Sequence, residues 1–563
     1  MSKVVILGGG VAGMSAAHEL INRGFEVEVY DRNPNYVGGK ARSVNVPNTN
    51  LQDPNKFLPG EHGFRFFPGF YKHITETMSE IPFGKGTVLD NLVDTEDVAI
   101  YQDGHLPIKL PLHIPNSLKD VTNIFKAFMV VNEELTKESV EFFAGKVWQL
   151  MTSCEERFKD EYEQISWWEY TAADNFNDAY KSLLVEGLTR SLVAAQAQKA
   201  STRTVGSVFL QLVYTMLKNS NTDRVLNAPT NDAWLTPWIE YLKSKGVNYF
   251  LGHTVKSIQV EKSINGSPLK DATIQVGDNE LKTINVTADY FILATPVEVS
   301  ATLINPSVLA ADKALSNIVK LAPNVEWMNG IQFYLTESFP MHRGHTIYAN
   351  SNWALTSISQ QQFWGEYDYS DRFDGTVKGI LSVDISDWNT PGNINGKKAS
   401  ECSLEEVKTE VWEQIKEEIN IGKEIITDDM LRFVYLDADI YPKANKQKSL
   451  ENVLGKKTAA EVVELGNKEP LLVNQVNTWT LRPNSFTNIP NLFLASDYVK
   501  TNTDLATMEG ANEAARRATN NILKIEKRDD YCKIYPLKQP LLLGIFQKAD
   551  QNKWNKGLSW GIV

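Results

Sequence analysis

Three glycines, Gly8, Gly10 and Gly13, stand in the spacing G-x-G-x-x-G and are the first residues of this 563-residue chain whose arrangement implies chemistry. They interrupt the apolar run Val4-Val5-Ile6-Leu7, after which helix formers resume at helical spacing, so the segment predicts strand, tight turn and helix. Each glycine has a mechanical part in such a turn. Gly8 permits the sharp reversal, Gly10 lets a pyrophosphate reach the backbone, and Gly13 lets the helix lie close on the strand. The free N–H groups and positive end of the new helix then face the phosphates. A second strand pattern, Phe25 to Tyr30, ends at Asp31 with Arg32 beside it. A carboxylate about 20 residues after the glycines can accept hydrogen bonds from ribose hydroxyls. Strand, turn, helix and carboxylate in register imply a bound dinucleotide.

Four later stretches narrow the choice. Val37-Gly38-Gly39-Lys40-Ala41-Arg42-Ser43 is a basic glycine loop just past Asp31. Glu61-His62-Gly63-Phe64-Arg65-Phe66-Phe67-Pro68-Gly69-Phe70-Tyr71 is a glycine-punctuated aromatic segment. Near the other end, Leu492-Phe493-Leu494-Ala495-Ser496-Asp497 reads as a buried strand ending in a carboxylate, and Met508-Glu509-Gly510-Ala511 opens a helix running to about Ile525. A helix N-terminus there would stabilise negative charge on a reduced ring system.

Together these stretches resemble the flavin-containing amine oxidase and carotenoid-desaturase superfamily, including its hydroxysqualene dehydroxylase members. The resemblance implies FAD. It lays Gly38, Gly39, Lys40 and Arg42 against the pyrophosphate and the backbone of Val255 against the adenine. It gives Asp497 to a ribityl hydroxyl and Met508 and Ala511 to the flavin pyrimidine edge, with Gly63 and Phe64 beside the isoalloxazine. Ser496 departs from the glycine usual at its position. For chemistry at the ring the candidates are Glu61 and His62 as acid–base or orienting groups. Trp479 is the candidate for shaping the substrate slot, and Arg482 for holding a polar or anionic group.

The implied fold is α/β: a Rossmann-like, discontinuous FAD-binding domain of the glutathione-reductase type with a mixed α+β substrate domain and a helical cap. Residues 1–80, 235–300 and 470–530 are expected to form the FAD domain. Residues 81–234, where apolar positions mostly recur at helical spacing, are expected to form a helical cap and part of the substrate domain; 301–469 the sheet and helices of the substrate domain; 531–563 a tail. The tail mixes apolar and lysine residues. Docking on the protein body is the reading preferred for it over contact with a membrane surface.

The activity this implies is removal of hydride from a C–H bond of a hydrophobic, isoprenoid or other lipid substrate, giving desaturation, dehydroxylation or isomerisation. The cofactor does the redox chemistry. An amine or amino-acid oxidase on the same scaffold is the rival, although the sequence singles out no lysine for the place beside N5. A non-catalytic flavin-binding protein is the third reading. No second glycine fingerprint for NAD(P)H is evident, which points to oxygen or a quinone as acceptor, or to a redox-neutral reaction. The net charge of −12 argues against nucleic acid or anionic membrane as an electrostatic partner. Three cysteines, few and far apart, suggest neither disulfides nor a metal site and fit a reduced, cytoplasmic setting.

Overall fold

Five short strands from distant parts of the chain make one parallel sheet in this computed structural model. The order across it is Asn248–Phe250, Glu26–Tyr30, Lys3–Leu7, Tyr290–Leu293 and Leu492–Leu494. The structure describes residues 1–561 apart from 51, 97–98, 103–104, 110–116, 133, 188–194, 217–222, 340, 366, 370 and 444–463. Val4, Val5, Ile6 and Leu7 show no alternation because both faces of the sheet are covered. Val4 and Ile6 pack in a core with the helices Val11–Ile21 and Met508–Ile525. Val5 and Leu7 pack in another with a three-stranded antiparallel meander, His253–Val260, Leu269–Val276 and Thr283–Val286. Residues from the two ends of the chain thus share one core.

The second layer is a seven-stranded sheet ordered His105–Lys109, Ala99–Gln102, Thr346–Tyr348, Thr356–Ser359, Gly379–Ile385, Asn329–Leu335 and Leu431–Leu436. One face packs under the helix Leu404–Ile419, which the capping box of Ser403 and Glu406 begins. The other face turns toward the first domain. Here the domain expectation needs correction. Ala99–Gln102 and His105–Lys109, which fall in the stretch expected to be mostly helical, pair as two strands, and Ala99–Gln102 runs parallel to Thr346–Tyr348. Pairing with Thr346–Tyr348 from far along the chain overrides the helical pattern of the residues that follow. The helical part of the cap begins at Leu118–Val131 and continues through Lys137–Thr152 and Thr202–Met216. Its core is rich in Phe, Tyr and Trp.

The tail docks. Asp550 receives Arg157 and the Cys154 amide, Phe546 meets Trp148 edge-on, and Leu543 is buried in the cap core. All three cysteines are buried and free. Among the described residues no helix is long and apolar enough to cross a membrane.

Candidate functional site

A single cleft runs between the layers and takes its walls from both ends of the sequence. It begins where the first strand turns into its helix. Gly8 has φ +112°, and a Cβ there would stand 2.7 Å from the Ala294 carbonyl oxygen. A Cβ on Gly13 would lie 2.0 Å from the Gly8 carbonyl oxygen, so any side chain would push the helix off the strand. Gly10 is different: its nearest would-be contact is the Gly39 Cα at 3.8 Å. It opens a backbone-lined cradle with Gly38 and Gly39, both at positive φ. Gly10 also caps the helix Val11–Ile21 with no side chain, leaving the first-turn N–H groups to face the cleft.

Asp31 closes this end. Its Oδ2 accepts from the Gly9 amide at 2.8 Å and its Oδ1 from the Asn33 amide at 2.7 Å. Burial raises its pKa, against the pull of those two amides. Arg32 pairs with Glu469, and both line the cleft. Lys40 stands 3.9 Å from the Glu298 carboxylate. Burial raises the pKa of Glu298, with Lys40 pulling the other way. Val255, from the meander's first strand, lines the same end.

At the far end Ser496, Asp497, Thr507, Met508 and Ala511 form the wall. Ser496 Oγ donates to Asp497 Oδ1 at 3.2 Å. Thr507, which the sequence reading passed over, caps the helix by accepting from the Gly510 amide at 3.1 Å. A threonine three residues before a helix-opening glycine was the available signal. A Cβ on Gly510 would meet the Leu505 carbonyl oxygen at 2.9 Å, so the tight turn into the helix requires it.

The model of the family described as flavin containing amine oxidoreductase matches residues 11–523. The chain belongs to that family. Its cofactor is accordingly FAD. A zeta-carotene desaturase of Synechocystis sp. is 22% identical over 302 residues, covering 52% of this chain and 58% of the relative. The chain therefore spans less than two thirds of that curated relative's length. Among solved structures, cyclohexylamine oxidase from Brevibacterium oxydans IH-35A aligns with a TM-score of 0.59 at 11% identity, over 94% of this chain and all of that one. An oxidoreductase from Methanosarcina mazei aligns at 0.56 and 15% identity, over 93% and 100%. At such identities these likenesses speak to the fold alone.

The flavin fits what this chain builds. The Gly10–Gly39 cradle admits a backbone-hugging pyrophosphate, and one continuous cleft joins it to the helix at Met508. When bound, FAD supplies a two-electron acceptor; the protein supplies position, dryness and charge. Gly8, Gly10, Asp31, Arg32, Gly38, Gly39, Lys40, Arg42, Gly63, Phe64, Val255, Asp497, Met508 and Ala511 all line the cleft, while Gly13 stands just behind it.

Arg42 reaches the cleft with its charge already engaged. It donates to the Gly39 carbonyl at 2.8 Å and to Asp439 at 2.5 Å. His62 joins that pair: its Nδ1 lies 2.7 Å from the Asp437 carboxylate and 3.3 Å from that of Asp439. Burial opposes a charge on His62, but the two carboxylates win and raise its pKa. Burial likewise works against ionised Asp439, yet His62 and Arg42 hold it well below the carboxylate range. Among the described residues, His62, Asp437 and Asp439 are close enough to share a cation. The Arg42 guanidinium already supplies positive charge there.

Three expected residues lie outside the cleft wall. Glu61 turns away and accepts from the Thr230 amide and hydroxyl at 2.9 and 2.7 Å. Burial pushes it up to about 7 against the pull of Arg65 and Thr230. The Trp479 ring is covered by Arg203, whose guanidinium carbon lies 3.4 Å from the ring centroid, with Lys500 at 5.6 Å. Arg482 is fully buried. It bonds Asp504 and the carbonyls of Asp497, Tyr498 and Val499, which pins the loop that follows the strand Leu492–Leu494. For Glu61 and Trp479 a distant segment supplies the partner that takes the side chain away from the cleft; for Arg482 it is the loop that follows.

Proposed function

We propose that this protein is an FAD-dependent oxidoreductase removing hydride from a C–H bond of a hydrophobic, isoprenoid-class substrate. The observation that carries this reading is the wall of the cleft beyond the cofactor cradle. It includes Phe64, Phe66, Tyr71 and Met328. Such a wall receives an apolar chain at little desolvation cost and holds it dry for hydride loss. Support also comes from the relative whose name states that it desaturates a carotene.

A second reading has its own support. Solved structures of similar fold include amine-acting oxidases by their titles. Among the described residues lining the cleft the single lysine is Lys40, which stands in the pyrophosphate loop beside Glu298. That location disfavours the amine reading, in which a lysine would sit beside the reacting ring. Oxygen or a quinone is the proposed acceptor.

The tail supports peripheral contact with a bilayer. Although one side of it is docked, Leu541, Leu542 and Ile545 are 96%, 70% and 80% exposed. Residues 531–563 carry five lysines against one aspartate in a chain of net charge −12. The test is anaerobic mixing of the purified holoprotein with isoprenoid hydrocarbons and, separately, with amines. Bleaching of the flavin by isoprenoids alone is expected. Bleaching by amines, with peroxide released on admitting air, would replace this reading with the second.

A further inference from the structure

Behind the aromatic wall a carboxyl that none of the expectations used faces the same cleft. Asp384 lies in the strand Gly379–Ile385, every residue of which is buried, and it is the one ionisable side chain in that strand. Alternation sends Leu381, Val383 and Ile385 into the core beneath the helix Leu404–Ile419 and turns Asp384 to the opposite face. There it meets the segment that follows His62. A Cβ on Gly63 would stand 2.8 Å from Asp384 Oδ1. Gly330, its partner in the ladder, would likewise place a Cβ 2.9 Å from the Gly63 Cα. Two glycines in contact thus hold this carboxyl against the cleft wall.

Among the described residues the one hydrogen bond it accepts comes from the Phe64 amide at 3.3 Å, to Oδ1. Oδ2 is left for whatever occupies the cleft. The charged groups around it are Arg65 and His62 on the facing segment and Asp437 after the strand Leu431–Leu436. Burial pushes Asp384 up to about 7, with Arg65 pulling the other way. A carboxyl in that range is both a competent base and a stable acid at neutral pH.

We propose that Asp384 is the proton acceptor of the oxidation. The carbon neighbouring the hydride donor gives its proton to the Asp384 carboxylate, and the C–H electron pair becomes the new C=C π bond. The hydride, with its two electrons, goes to the oxidised flavin. The substrate thereby loses one hydride and one proton, and the flavin and Asp384 gain them. This assignment rests on the desaturation reading above.

The test uses the holoprotein first without substrate, recording the bound-flavin spectrum and midpoint potential from mildly acid to mildly alkaline pH. The wild type is expected to show a one-proton transition centred near neutrality. Asp384→Asn, which keeps an acceptor for the Phe64 amide, should retain its flavin and lose the transition. Arg65→Gln should move the midpoint upward, because the cation favouring the carboxylate is gone. A transition that survives Asp384→Asn, or a midpoint indifferent to Arg65→Gln, overturns the assignment. If Asp384→Asn loads no flavin, the Arg65→Gln result decides. With a bleaching isoprenoid, Asp384→Asn should slow anaerobic bleaching by about 10²–10⁴-fold; an unchanged rate also overturns it. Bleaching by amines alone would defeat the desaturation reading while leaving the substrate-free titration to stand or fall by itself.

Discussion

Replacing Arg482 with methionine tests whether this residue braces the cofactor site or reads a ligand. The side chain is 2% exposed and pairs with Asp504, itself 4% exposed, at 2.6 Å. It also donates to the carbonyls of Tyr498 at 3.1 Å and Val499 at 3.2 Å, and to that of Asp497. Methionine keeps much of the volume and removes every donor. Asp504 keeps the Thr204 hydroxyl at 3.2 Å and a weaker pairing with Arg203 at 3.6 Å. Breaking a buried pair from one side costs about 3–5 kcal/mol, and the remaining partners place the expected loss toward the lower half of that range. The assay is a urea titration of the holoprotein, followed by circular dichroism and by the rise of flavin fluorescence on release. Flavin release is expected to move to lower urea ahead of the helical signal, because the loop carrying Asp497 loosens first. Adding Asp504→Asn should recover part of the loss, with a coupling of about 0.5–3 kcal/mol. A variant as stable as the wild type, or strictly additive losses, would refute the bracing role.

Glu61→Gln should flatten the pH dependence of stability. Glu61 in the fold titrates at about 7, above the ordinary ~4.3 of an unfolded glutamate. Its proton therefore stabilises the fold at low pH, and that contribution is lost by about 1.4 kcal/mol per unit as pH rises toward 7. Urea midpoints across this window should fall less steeply in the variant; equal slopes would count against the assignment. Thr507→Val should cost about 1 kcal/mol through the lost cap on Gly510, read as a lower flavin-release midpoint. Replacing Leu541, Leu542 and Ile545 together by serine should leave flavin content unchanged and abolish co-sedimentation with anionic phospholipid vesicles. Retained co-sedimentation would remove the tail from the membrane reading.

The cofactor end of this protein was legible from sequence because its requirements are local. Gly8 needs a positive φ, Gly13 needs to lack a Cβ, and both follow from the path of one strand–turn–helix whatever lies elsewhere. The helix Leu404–Ile419 was legible for the same reason, its capping box and apolar period lying within its own residues. The charged side chains behaved otherwise. Glu61 is claimed by Thr230, Arg42 by Asp439, and Arg482 by Asp504. Burying a charge is costly unless a partner is found. Which charge faces the cleft is therefore decided by partners that the folded chain brings in from far along the sequence. Asp384 carried a faint local sign, a carboxylate in an otherwise apolar strand, yet its direction depended on the ladder that set Gly330 and Gly63 against it. Sequence alone determined that a dinucleotide is gripped at a glycine turn. Tertiary structure decided which acids and bases were left over to act on what lies beside it, because only packing assigns each buried charge its counter-charge.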